Sequence, residues 1–293
     1  ISLIYTGRYI TFDNQILNKF LTVVLVCCTI GYLIYYLLAD GLSFSIITGI
    51  NKDISTASYQ TYGRSLLVVG FFVISRYIGI RRHIYFGFTV ICLFIIGARS
   101  EFFAFILVFV ISECLFSIKI VKKISYLALS LIFILVAGIF SIDELKGSRI
   151  FNVVDLSTDK SWNAREIRTD VAYKSIQSNP FLGEYGSHVK YMDIGAYAHS
   201  AISAWVNYTF LGFIMFLFLH VISVWHTARI LITMPNAPPI WKYAFYINCT
   251  AMLLILISKP VFWVLPALGW GLYMNAITTK SKNRIWSLKS YES

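Results

Sequence analysis

Charge is scarce in this sequence. Of 293 residues, 13% are charged and only 14 are acidic, whereas 58% are hydrophobic. The charged share is about half of what a soluble globular domain carries. A water-soluble fold of this size cannot hide so much apolar surface, because large exposed patches drive association. The mean hydropathy of +0.71 agrees. A soluble enzyme, a nucleic-acid-binding domain and a disordered chain are therefore excluded. A net charge of +11 with a pI near 9.4 would point to nucleic acid in a soluble protein. Here it fits lysine and arginine in the cytoplasmic loops of a membrane protein, and no nucleic-acid partner is expected.

Several chemical signatures are also missing. The sequence has no P-loop, no Rossmann glycine pattern and no HExxH. No His, Cys and carboxylate cluster shows metal-ligand spacing, so neither a cofactor nor a metal is expected. The five cysteines (Cys27, Cys28, Cys92, Cys114 and Cys249) all lie in apolar runs. Their odd number argues against a disulfide framework and for small packing residues. No secretory leader pattern is visible. A chain beginning at Ile1 is read as trimmed, with further N-terminal helices expected ahead of it.

What the chain has is long apolar runs. A spanning helix needs about 20 mostly apolar residues. Eight runs qualify as candidates: 20–39, 63–80, 84–97, 98–118, 124–141, 199–226, 242–258 and 260–278. The third meets the fourth at Gly97-Ala98-Arg99-Ser100, which reads as a tight turn at one membrane face. Lysine and arginine in the short connections split as 14 on one side against four on the other, and the richer side is the cytoplasm. The predicted fold class is all-α. It is a polytopic transmembrane helix bundle, one integral membrane domain over 1–293.

One connection stands apart. Residues 142–197 form a long extracytoplasmic loop between spans, far above the usual length, and hold eight of the 14 acidic residues. Loops of this kind are functional or disordered. Trp162, Phe181, Tyr185, Tyr191 and Tyr197 favour an ordered one. A short helix is predicted from Asn163 to Ser178. Asn163 and Glu166 look like a capping box, Asn179-Pro180 is the stop, and Ile167, Val171 and Ser175 are the expected buried side. Arg165 and Arg168 share a face. In the first turns of a helix they would suit a diphosphate; the bland alternative is a solvated face paired to Glu166 and Asp170.

Two further groups lie at the outer face. Arg99 sits at the mouth of a span, where a charge faces protein or water; the alternative is an interfacial arginine or a pair with Glu101. His199 opens the sixth span and could accept a proton near neutral pH, or be a hydrogen-bonded interfacial histidine. His188, in the loop, is a second candidate. His220 is about 31 Å further along a helix, near the cytoplasmic face, and is read as structural, as are His226 and His83.

Three stretches together resemble bacterial O-antigen polymerases and ligases. NAREIRTDVAYKSIQSNPFLGEYG (163–186) is similar to the family's loop signature, in which an arginine opens a helix and a proline and close glycines follow. GAYAHSAISAWVNYTFLGF (195–213) resembles its histidine-containing helix start, and IIGARSEFFAFILVFV (95–110) its small-residue-plus-arginine helix start. The resemblance covers roughly residues 60–280. Ser200 stands where asparagine often follows the histidine, Ala98 where a serine often precedes the arginine, and the glycines are spread as Gly183-Glu184-Tyr185-Gly186.

The resemblance implies a membrane glycosyltransferase with no cofactor and no metal. Its substrates would be oligosaccharides linked to undecaprenyl pyrophosphate, as both donor and acceptor, in the lipid bilayer. A chain-length regulator and a flippase are the implied assembly partners. Arg99 matches the arginine that holds the pyrophosphate, Arg165 best matches the loop arginine with Arg168 as its fallback, and His199 matches the general base. Trp162 and Tyr185 would stack on sugar rings. Polymerase and ligase differ in the acceptor, a second repeat unit or the lipid A core. A transporter of the lipid-linked glycan is the alternative from another class; it would carry charge at mid-membrane, whereas here charge gathers at the outer face.

Overall fold

The structure is a computed structural model that describes residues 1–38, 58–116, 160–192, 197–234 and 236–289. Among these residues it is helical with no strand. Ten helices follow in chain order: α1 (Ser2–Tyr9), α2 (Gln15–Leu38), α3 (Ser58–Arg76), α4 (Ile80–Ile96), α5 (Arg99–Phe116), α6 (Lys160–Ser178), α7 (Ser187–Tyr191), α8 (Ile202–Thr233), α9 (Pro239–Ile257) and α10 (Leu265–Lys289). The predicted span 124–141 and the loop's first residues, to 159, lie outside the described residues, as do 193–196.

Among the described residues, three helices are long and apolar enough to cross a membrane: α2, α8 and α9. α2 and α8 turn apolar side chains outward, Phe20, Ile34 and Leu37 on the first and Leu211, Met215 and Phe218 on the second. That is the reverse of a helix in water and suits hydrocarbon, where the backbone is satisfied within the helix. The chain is thus a membrane-associated helical protein. α3, α4, α5 and α10 coincide with other predicted spans, but α4 has 17 residues and α5 contains Arg99, Glu101 and Glu113.

The chain divides into two compact units, 15–167 and 1–14 with 168–293. In the first, α2 to α5 enclose Leu25, Leu67, Phe71, Leu93, Ile96 and Phe105. Helices approach closely where residues are small: a Cβ on Gly63 would overlap Ala98 Cβ, and one on Gly70 would overlap Thr89. Small residues at such crossings are how helices associate in lipid, where no hydrophobic force drives them together. The predicted tight turn is present. Gly97 ends α4 in the left-handed conformation (φ 75°), and Arg99 is the first residue of α5. Glu113 is buried and ion-paired with Arg82, N···O 2.6 Å, with the Arg82 guanidinium 5.3 Å from the Phe109 ring centroid.

In the second unit α9 is the core helix, with Trp241, Tyr243, Phe245 and Tyr246 all buried. α1 lies on α10 through glycine: a Cβ on Gly7 would come within 2.5 Å of Leu268 O, and Gly271 faces Ile4 O. Asn275 Nδ2 donates to Ile10 O at 2.7 Å, tying down the end of α1. Deeper in, Asn248 Nδ2 donates to Ala244 O and Gly269 O, and Ser223 Oγ donates to Asn248 Oδ1. His220 is buried here, its Nδ1–H donating to Phe216 O at 2.8 Å.

Candidate functional site

The second unit carries the site, and its geometry starts from a broken helix. Inside α8, Thr209 has φ 74° and ψ 167°, a conformation that is nearly glycine-only. An unbroken helix would bond Phe210 N–H to Val206 O. Instead Phe210 N–H donates to Phe181 O, and Val206 O accepts from Glu184 N–H, both at 3.0 Å. The loop after α6 thus takes over one rung of the α8 ladder. Thr209 Oγ1 accepts from Gly212 N–H at 3.3 Å and so caps the lower half of the helix.

This exchange explains the proline and glycines that follow α6. Pro180 stops the helix after Ser178 as predicted, and its carbonyl accepts from Trp205 Nε1 at 2.7 Å. Gly183 has φ 69°, and a Cβ there would meet Trp205 O at 2.5 Å and Val206 O at 2.6 Å. Only glycine lets the two backbones come so close. Ala172, Ile176, Ala198 and Val206 form a small core beside this staple, with Ile202 and Trp205 packed on it. The C-terminal half of α6 is thereby fixed against the start of α8.

That packing sets a cation against an imidazole. Arg168 Nη1 and His199 Nε2 are 2.9 Å apart. A guanidinium only donates hydrogen bonds, so Nε2 is the acceptor and the ring proton resides on Nδ1. Both side chains are half-buried. The Tyr197 ring lies between two histidines, with centroids 5.9 Å from His199 and 5.6 Å from His188. Arg168, Ser187, His188, Tyr197, Ser203 and Asn207 line one cleft. Ser203 Oγ accepts from Val261 N–H at 2.8 Å. The turn that follows α9 is thus held to the same place, and it carries the buried Lys259, whose Nζ is 5.6 Å from the Trp263 ring centroid.

The predicted site residues fare differently. His199, expected to open the sixth span, lies just ahead of α8, which begins at Ile202. Arg168, the fallback, is the arginine found bonded to it. Arg165 is on α6 one turn earlier and Arg99 opens α5; both fall in the first unit. Tyr185 is 80% exposed. Trp162 is in the first turn of α6, and its side chain is outside the described residues.

Two expectations for α6 are corrected. The helix includes Lys160, so Asn163 is inside it and does not cap it. Arg165 and Arg168 then lie past the first turn, where N–H groups are already bonded, and the helix-terminus argument for an anion lapses. The buried side is Ala172, Ser175 and Ile176, while Ile167 is 55% exposed. Asn207, Ser203 and Lys259 were not singled out from sequence. Asn207 had a signal: an amide within an apolar run is expensive in a membrane and calls for a reason.

No family model, no curated protein and no solved structure matches this chain.

Proposed function

We propose that the chain is a multi-pass membrane glycosyltransferase of the O-antigen polymerase type. It would move a glycan from undecaprenyl pyrophosphate to a sugar hydroxyl of a second lipid-linked repeat unit, with the 142–197 loop and the site on the periplasmic side of the inner membrane. The observation that carries this reading is the Arg168–His199 pair, 2.9 Å apart. It joins the loop signature to the helix-start signature that the sequence resemblance rests on.

The chemistry uses both partners. The acceptor hydroxyl attacks the anomeric carbon, the bond from that carbon to the phosphate oxygen breaks, and undecaprenyl pyrophosphate leaves with the electron pair. Negative charge grows on the leaving oxygen, and a fixed guanidinium placed there stabilises it. In the free protein Arg168 occupies the Nε2 lone pair of His199. An arriving pyrophosphate competes for that guanidinium through stronger, charge-assisted bonds. Once Arg168 turns to it, His199 Nε2 takes the hydroxyl proton. The resemblance also assigns Arg99 and Arg165 to the diphosphate, and Tyr185 and Trp162 to the sugar rings.

The test mixes the purified full-length chain with undecaprenyl pyrophosphate-linked repeat units, with and without lipid A core, and follows the product on a gel. A ladder without the core supports the polymerase; product only with the core makes the chain a ligase. His199→Ala is expected to slow transfer by roughly 10²–10⁴-fold. A folded His199→Ala protein that builds wild-type ladders would sink the assignment. Intact substrate left unchanged by the wild-type protein would favour the transporter.

A further inference from the structure

The cleft beside His199 contains polar atoms that the Arg168–His199 pair does not use. Asn207 Oδ1, Arg168 Nε and His188 Nδ1 are buried and have no hydrogen-bond partner among the described residues. Asn207 is 9% exposed, and its Nδ2 donates to Ser203 O at 2.7 Å. That bond fixes the amide orientation, because a carbonyl accepts only from the nitrogen side. The free end of Asn207 is therefore an acceptor. Arg168 Nε–H is a donor, and the His188 nitrogen serves in either sense according to its tautomer. Buried polar atoms left unpaired are costly, and three lining one cleft call for a common partner.

The mixture of donor and acceptor selects the chemistry of that partner. A phosphate offers acceptors only, and its oxygens would face the lone pairs of Asn207 Oδ1. A hydroxyl offers both: its proton goes to Asn207 Oδ1, and its oxygen accepts from Arg168 Nε–H. The Tyr197 ring beside the two histidines adds a flat apolar surface of the kind that amphipathic rings pack against.

We propose that this cleft binds the acceptor carbohydrate, with Asn207 and His188 as its hydroxyl-recognising residues. This rests on the glycan-transfer reading and assigns the acceptor, rather than the pyrophosphate, to this wall of the site. A sugar held here has a hydroxyl beside His199, which is where the proton must be taken.

The test uses the full chain in lipid nanodiscs and two probes, the lipid-free repeat-unit oligosaccharide and inorganic pyrophosphate, measured by titration calorimetry. Asn207→Leu and His188→Leu are each expected to weaken oligosaccharide binding about tenfold, the loss of one buried hydrogen bond, and to leave pyrophosphate binding unchanged. His188→Leu leaves the Ser203 bond intact and so stands if Asn207→Leu does not fold. Oligosaccharide affinity unchanged in His188→Leu and in a folded Asn207→Leu, with the wild-type chain still building polymer, overturns this inference alone and leaves the three atoms to ordered water. Equal weakening of both probes also overturns it, marking the residues as structural. Selective loss of oligosaccharide binding in the two variants, alongside a wild-type chain that transfers nothing, upholds the binding site and overturns the transferase reading.

Discussion

Gly183 and Gly186 make a matched pair for testing whether the loop is stapled into α8. Both have positive φ, 69° and 76°. An alanine at either position pays the left-handed penalty, roughly 1–2 kcal/mol. They differ in surroundings. A Cβ on Gly186 meets nothing within 4 Å, whereas one on Gly183 would come within 2.5 Å and 2.6 Å of the Trp205 and Val206 carbonyls. Backbone cannot yield like a flexible side chain, so Gly183→Ala must push the loop off the helix. Two exchanged bonds are then at risk, Glu184 N to Val206 O and Phe210 N to Phe181 O, each contributing about 1 kcal/mol net. Gly183→Ala should therefore lose about 3–4 kcal/mol and Gly186→Ala about 1–2 kcal/mol. The measurement is reversible unfolding of the full chain in mixed micelles, followed by circular dichroism. Equal losses for the two variants would refute the backbone exchange.

Three other outcomes are expected. Thr209→Gly should stabilise the protein by about 1–2 kcal/mol in the same assay, since it relieves a strain of about 1–3 kcal/mol and a glycine cap loses only a few tenths. Arg82→Met should destabilise the first unit by roughly 3–5 kcal/mol, because it strands the buried Glu113 carboxylate; the double variant Arg82→Met/Glu113→Gln should recover most of that loss. Arg168→Ala should lower transfer by roughly 10²–10³-fold, with partial recovery in Arg168→Lys and an unchanged unfolding midpoint for both.

Where sequence reading succeeded, local chemistry decided the structure. Gly97 and Ala98 announced a turn because a left-handed glycine ends one helix and a small residue lets the next approach α3. Pro180 announced the end of α6 because it cannot continue a helix. Where the reading failed, tertiary contact decided. Asn163 and Glu166 have the spacing of a cap, yet an asparagine inside a helix is only about 0.7 kcal/mol worse than alanine, and α6 runs through it. Ile167 and Val171 drew the predicted buried stripe because they are large. Ser175 is buried as expected, but the helix packs beside the start of α8 through Ala172 and Ile176. That rotation brought Arg168 rather than Arg165 into the place beside His199. The break at Thr209 was invisible locally, since threonine has no preference for positive φ and the cause lies at residues 181–184.

The shared rung between loop and helix also sets how this region can be exchanged. Residues 180–184 complete the hydrogen bonding of 206–210, and 206–210 complete theirs. Neither segment keeps its shape without the other. A loop transplanted from a related protein would arrive with its carbonyls and amides unmatched unless the first turns of α8 travelled with it. The stretch from Arg168 to Phe210 is therefore the smallest cassette that can be swapped whole. On the glycan-transfer proposal, substrate preference would move with that cassette as a block, arginine, histidine and asparagine together, rather than residue by residue.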